Sequence, residues 1–240
     1  AAEVGVLGLA VPQRFGGAGQ ELLDQALAFE VLGEAALPGP FLGHALASLA
    51  LVLGGTEAQR ERWLPRLAAG ELVGTLAIAE PGDAWTPETW THGAKLFVEG
   101  ADRAGLFVVG TAGGGLALVP RDEACVRVEP QDPLDRTRPL YRVAFEGAPA
   151  EALPGGREAA EAVLDAARVL LAADAFGTAW KLIQQTVEYA LAREQFGTPI
   201  AQFQAVKHQL ANLAAETEPM RGLVWYAAHA FDHLPEERAR

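Results

Sequence analysis

Arg193 and Phe196 are the two residues whose types and spacing best suit a ligand. They lie in the run Tyr189-Ala-Leu-Ala-Arg193-Glu194-Gln195-Phe196-Gly197-Thr198-Pro199-Ile200-Ala201-Gln202-Phe203-Gln204. A guanidinium grips phosphate oxygens as a charged fork. An aromatic ring exposed in a turn stacks on a planar ring system. Together they suit a dinucleotide, which carries one pyrophosphate and at least one aromatic base. Arg193 has a second reading: a cation near a helix C-terminus is stabilised by the helix dipole. From the residues alone both readings stand.

Other chemistries find less support. The one serine, Ser48, lies in Ala47-Ser48-Leu49, so there is no Gly-x-Ser-x-Gly elbow. Neither phosphate-binding glycine signature is present. His229 and His233 are one helical turn apart, a spacing that can hold a metal, but it also fits an exposed polar helix end. Asp174 interrupts the apolar run Leu170 to Phe176. A carboxylate buried there needs a hydrogen bond or a raised pKa. It reads either as a packing contact to Thr178, Lys181 or a partner chain, or as a general base. Cys125 beside Val126 reads as a core residue of a β run.

The elements that must position these residues fall into three blocks. Residues 1–70 read as helices. Glu21 to Leu37 carries Leu22, Leu23, Ala26, Leu27, Phe29, Val31 and Leu32 mostly at three- and four-residue steps, and Pro38-Gly39-Pro40 stops it. Phe41 to Leu53 is apolar nearly all round and predicts a buried helix. Thr56 is a good N-cap for a third helix ending at Gly70. Residues 71–148 switch to β-type runs: Leu72–Ile78, Lys95–Val98, Leu106–Val109, Leu116–Val119, Cys125–Val128 and Tyr141–Phe145. Gly113-Gly114-Gly115 between two of them reads as a hairpin loop. Residues 149–240 return to helix, with one long helix over Arg157 to Leu191, a break at Gly197-Thr198-Pro199, and a second helix over Phe203 to Asp232 with a kink expected at Pro219. Helices, then strands, then helices predict an α+β protein. Two long terminal helices suggest a bundle face and an oligomer interface.

Composition sets the remaining bounds. The 240 residues are 50% hydrophobic, enough for a sizeable core, with a formal net charge of −12. That balance argues against nucleic acid and anionic membranes as partners. A single cysteine leaves no disulfide framework and no Cys-rich zinc site, which suits a cytoplasmic protein. No run approaches the ~18 uninterrupted apolar residues of a membrane span. The chain opens on Ala-Ala-Glu without a Met or a charged-then-apolar leader, and is expected to be part of a longer polypeptide.

The stretch from Arg193 to Gln204 resembles the Arg-x-x-Phe-Gly-x-Pro-Ile-x-x-Phe-Gln signature of the acyl-CoA dehydrogenase family. Val11-Pro12-Gln13-Arg14-Phe15-Gly16-Gly17-Ala18-Gly19 is similar to its Val-Pro-x-x-Tyr-Gly-Gly-x-Gly turn. Ala77-Ile78-Ala79-Glu80-Pro81-Gly82 resembles its Thr-Glu-Pro segment, and Gly93-Ala94-Lys95-Leu96-Phe97-Val98 its Gly-x-Lys-x-Trp-Ile. Leu164-Asp165-Ala166-Ala167-Arg168 resembles Phe-Asp-x-x-Arg. All come in the family's order. The resemblance implies an N-terminal helical domain, a central β-barrel-like domain and a C-terminal helical bundle.

It also implies an activity: FAD-dependent α,β-dehydrogenation of an acyl-CoA thioester to the 2-enoyl-CoA, with electrons passed to an electron-transfer flavoprotein. By position, Arg193 and Phe196 would touch the FAD of a neighbouring subunit, with Gln195, Ile200 and Gln204 close by. Ala77, Ala79 and Glu80, with Phe97, Val98 and Glu99, would line the flavin ring. Leu164, Asp165 and Arg168 would face the acyl-CoA. A homodimer or tetramer is implied, or a hetero-oligomer with a homologous subunit. The departures matter as well. Ala79 replaces the family's flavin-contacting Thr, Phe97 its Trp, and Glu99 a Thr. A carboxylate at 99 would oppose a reduced anionic flavin unless turned away. The loop after Gly82 reads Asp83-Ala84-Trp85 instead of Gly-Ser-Asp. The family's catalytic Glu belongs either to a later helix or to the position of Ala167, so the base is expected outside these 240 residues. A degenerate subunit that binds acyl-CoA or pairs with an active homologue is the alternative.

Overall fold

The computed structural model describes residues 5–82, 93–122 and 124–237. Three helices, α1 (Leu22–Glu34), α2 (Phe41–Gly54) and α3 (Glu57–Ala68), precede seven strands. These are β1 (Gly74–Ala77), β2 (Ala94–Glu99), β3 (Leu106–Gly110), β4 (Leu116–Pro120), β5 (Val126–Pro130), β6 (Leu140–Phe145) and β7 (Glu151–Ala152). Helix α4 (Gly156–Ala192) follows. A minimal hairpin, β8 (Glu194–Gln195) and β9 (Thr198–Pro199), then leads into α5 (Gln204–His233). No helix among the described residues is long and apolar enough to cross a membrane.

The chain divides into two compact units. The first holds the residues up to Leu22 and Pro38–Ala167. Its strands form two sheets, ordered β1-β3-β4-β7 and β2-β6-β5. Among the described residues they do not close into a ring. Ala77, Val98, Phe107, Val109, Val119, Val126 and Val143 make one apolar cluster drawn from both sheets. The β3–β4 pairing, Gly110 against Leu116, makes the glycine run a hairpin loop as expected. α2 is buried over most of its surface because its apolar residues leave no polar face to turn outward. Thr56 caps α3 through a full capping box: its hydroxyl accepts the Gln59 N–H at 3.2 Å, and Gln59 Oε1 accepts the Thr56 N–H at 2.8 Å.

The second unit joins Leu23–Leu37 to the chain from Arg168 onward. α1 meets α4 at a close crossing. A Cβ on Gly33 would lie 2.1 Å from the Asp174 carbonyl oxygen, and one on Gly177 2.0 Å from that of Glu30, so only glycine fits at either point. The Thr178 hydroxyl donates to the Gly33 carbonyl at 3.0 Å. Asp174 is therefore half-buried at a helix crossing rather than sunk in a core.

The face of α1 differs from the apolar stripe read from sequence. Val31 is 63% exposed, whereas Glu30 is only 9% exposed. Glu30 can turn inward because Arg221 Nε donates to it at 3.0 Å and Trp225 Nε1 at 3.2 Å. Burying a carboxylate is tolerable when it is paired and hydrogen-bonded. The Arg221 guanidinium also lies 4.9 Å from the Phe176 ring centre and 5.4 Å from that of Trp180. α5 runs on as helix through Pro219. Cys125 is a second correction. It is half-buried in a turn, where the Asp122 carboxylate accepts the Ala124 N–H, and the β5 ladder starts one residue later at Val126.

Candidate functional site

Two segments carry the chemistry read from sequence, one in each unit. In the first unit, β1 runs into Ile78-Ala79-Glu80 beside β2. The β2–β6 ladder pairs Lys95 with Val143 and Val98 with Tyr141, so Leu96 and Phe97 together oppose one residue of β6. This is a β-bulge, which bends the strand and re-aims a side chain. Phe97 takes φ of +56°, in the left-handed region that a bulky residue rarely adopts. Its ring is 48% exposed, while Val98 and Lys95 on either side are buried.

The bulge is tied down on both sides. The Leu96 N–H donates to the Ala79 carbonyl at 2.8 Å. The Phe97 N–H donates to Gln131 Oε1 at 2.8 Å. Lys95, wholly buried, donates to the Glu80 carboxylate. A buried ion pair of this kind fixes one arrangement, because breaking it strands a charge. The Glu80 carboxylate is thus engaged within the fold. Ala77 and Val98 belong to the inter-sheet cluster. Ala79 is 1% exposed. Ala77, Ala79 and Val98 are buried as whole residues, so the outward group of this segment is the Phe97 side chain.

Glu99 is turned away from that face. Its carboxylate accepts the Gly43 N–H in the first turn of α2 at 3.2 Å, and its backbone carbonyl accepts from the Thr75 hydroxyl at 2.7 Å. A helix N-terminus is a favourable place for an anion. This answers the charge conflict that Glu99 raised in the sequence.

In the second unit, α4 ends at Ala192 and Arg193 closes it, its N–H donating to the Tyr189 carbonyl at 2.8 Å. Phe196 (φ +55°) and Gly197 (φ +78°) form the two-residue turn between β8 and β9. Positive φ at both central positions matches the twist of a tight hairpin. Phe196 is 95% exposed, and its ring meets the edge of Phe203, 6.3 Å centre to centre at 82°. Arg193 is exposed and makes no ion pair among the described residues. Gln195 and Gln204 are also exposed, and Ile200 is half-buried below them. No side chain caps the N-terminus of α5. The hairpin therefore offers a guanidinium, an open ring, two amides and a helix N-terminus, a donor set that fits an aromatic diphosphate.

On α4, Leu164 is buried, Asp165 half-buried and Arg168 exposed. Asp165 and Arg168 are three residues apart, so they share one helical face. His229 and His233 are exposed, with ring centres 4.5 Å apart. No group of three metal-ligating side chains occurs among the described residues. The Asp83-Ala84-Trp85 loop lies outside those residues. Sequence reading missed Gln131 and the Lys95–Glu80 pair. A lysine inside an otherwise apolar strand was the available signal for the pair; nothing local marks Gln131.

Comparison with known proteins gives consistent matches. The family model for the acyl-CoA dehydrogenase N-terminal domain matches residues 1–71, and that for the C-terminal domain residues 155–240. The chain is 36% identical over 230 residues to the acyl-CoA dehydrogenase IpdE2 of Mycobacterium tuberculosis, covering 95% of this chain and 63% of that protein. It is 30% identical to the probable acyl-CoA dehydrogenase YngJ of Bacillus subtilis, over 96% of this chain and 69% of the relative. Among solved structures, a variant of the steroid ACAD Tcur3481-Tcur3483 superposes with a TM-score of 0.85 at 32% identity, over 97% of this chain and 67% of that one. An acyl-CoA dehydrogenase of Bacillus anthracis complexed with FAD gives 0.84 at 26% identity, over 99% and 45%. The chain thus spans a little under two thirds of the mycobacterial relative's length.

Proposed function

Because the chain belongs to the acyl-CoA dehydrogenase family, we propose that it binds FAD and serves the α,β-dehydrogenation of an acyl-CoA thioester to the 2-enoyl-CoA. The observation that carries this reading is the β8–β9 hairpin, with Phe196 presented in a left-handed turn beside an exposed Arg193 that makes no ion pair among the described residues. Arg193 would hold the diphosphate and Phe196 would lie against an aromatic part of the cofactor. Gln195 and Gln204 would donate from their amides, and Ile200 would support the turn from below. The segments holding Ala77, Ala79 and Glu80, and Val98 and Glu99, would back the flavin site, with the ring of Phe97 facing the flavin. FAD, when bound, supplies a hydride acceptor and passes electrons on to an electron-transfer flavoprotein.

Asp165 and Arg168 would orient the thioester, and Leu164 would close the apolar side of that cleft. The position before Arg168 is Ala167, so no side chain there takes the α-proton. The hairpin of one subunit would serve the FAD of its neighbour in a homodimer, a tetramer or a pairing with a homologous chain. Leu171, Leu182, Tyr189 and Leu191 on α4, all at least half exposed, supply apolar surface for such an assembly.

The test is spectroscopic. The purified protein, given FAD, is expected to show visible flavin absorbance that bleaches anaerobically with an acyl-CoA. Straight-chain, branched and steroid acyl thioesters should all be tried, the last because of the steroid ACAD neighbour. A protein that takes up no FAD overturns the reading. One that binds FAD but is bleached by none of these thioesters keeps the cofactor assignment and overturns the activity, leaving the degenerate subunit.

A further inference from the structure

Phe97 is held in an unfavourable conformation, and the structure shows what holds it. The left-handed region is unfavourable for a bulky side chain. Such strain persists only where surrounding groups over-determine it. At the bulge, two backbone N–H groups find acceptors outside β6. The first, at Leu96, is taken by the carbonyl of Ala79. The second, at Phe97 itself, is taken by the side-chain carbonyl of Gln131 at 2.8 Å. Gln131 sits just past the end of β5, and its own backbone N–H donates to the Leu140 carbonyl at 2.9 Å. That bond fixes the side chain's origin, so its amide reaches the bulge from a rigid support.

We infer that Gln131 is a positioning residue for Phe97: its amide oxygen holds the Phe97 N–H and keeps the Phe97 ring on the outer face of the bulge. The inference rests on the reading that Phe97 lines a flavin, and it adds a residue that neither the motifs nor the family signature includes. Without the Gln131 acceptor, the Phe97 N–H loses this bond. The residue can then relax toward ordinary β conformation, which swings its ring off the outer face.

The test compares Gln131→Met, similar in length but without the acceptor, with Gln131→Glu, which keeps an acceptor oxygen. In the Met variant the Phe97 amide should lose hydrogen-exchange protection. FAD should bind about fivefold to tenfold more weakly, the order expected for one lost hydrogen bond. The circular dichroism of the bound flavin should also change, and kcat should fall while KM for the acyl-CoA stays put. The Glu variant should restore the protection and the flavin signal. Lost amide protection with unchanged FAD affinity and flavin dichroism would overturn the positioning role while leaving the cofactor reading intact. Retained protection in the Met variant would overturn the hydrogen bond itself. A wild-type chain that binds no FAD would remove the cofactor reading, and the inference with it.

Discussion

The molecule presents two aromatic side chains on left-handed backbone, and it treats them differently. Phe97 is gripped from both flanks: the Ala79 carbonyl, the Gln131 amide and the buried Lys95–Glu80 pair all converge on its bulge. Phe196 stands on a four-residue hairpin, 95% exposed, with one edge contact to Phe203. The first is a wall finished by its own subunit. The second is strained backbone with almost no support from its own unit, which is the form expected of a group completed by something that binds. Strain at Phe97 is offset by the fold; strain at Phe196 would be offset by a ligand or a neighbouring chain.

That contrast can be broken most forcefully at Lys95. Lys95→Met removes the buried cation that pairs with the half-buried Glu80 carboxylate, and should cost about 3–5 kcal/mol of stability. Denaturant unfolding measures it, and adding Glu80→Leu should recover much of the loss. A Lys95→Met protein as stable as wild type would mean that the ion pair does not hold the bulge.

Arg193→Ala should behave in the opposite way. The residue is exposed and makes no ion pair among the described residues, so unfolding midpoints should not move. Losing a charged hydrogen bond to phosphate, about 1.5–3 kcal/mol, should weaken FAD about tenfold to a hundredfold. Fluorescence titration of FAD checks this. Equal FAD affinity in the variant would remove the hairpin from the cofactor site.

Phe196→Gly sharpens the comparison further. It relieves the left-handed backbone but adds freedom to the unfolded chain, so stability should change by less than about 1 kcal/mol. FAD affinity should still fall. The corresponding Phe97→Gly change should also shift stability little but reduce hydrogen-exchange protection across β2, because the ring is half-covered there.

The smallest effect is a pH dependence in the first unit. His44 is 1% exposed, and the Gly74 N–H donates to its Nδ1 at 3.3 Å. Burial holds its pKa below the usual histidine value of 6.5, against the opposing pull of the Leu67 and Leu7 carbonyls. A histidine kept neutral in the fold gains a proton more readily when unfolded. Its contribution is therefore complete above pH 6.5 and declines as pH falls from there toward the lowered folded value. Denaturation series across that range should show the decline, and His44→Leu should flatten it.

Much of this was legible in the sequence, for identifiable reasons. The strands of the first unit announced themselves because short β-branched runs alternate with Gly and Asp clusters. Thr56 announced α3 because its side chain does the capping. The Arg193–Gln204 motif was legible because its chemistry is local: every residue of the hairpin lies within twelve positions. What stayed hidden was long-range. Glu30 faces inward only because Arg221 and Trp225, nearly two hundred residues away, come to meet it. Glu99 looked like a charge beside the flavin until α2 supplied the Gly43 N–H. Gln131 reaches Phe97 across 34 positions and carries no motif.

The most direct test is a hydrogen-exchange footprint of the chain with and without FAD. FAD should add protection at both regions, around Leu96 to Glu99 and around Arg193 to Thr198, with the larger gain at the hairpin because it begins almost unsupported. Protection confined to one region, or absent from the hairpin, would contradict the account.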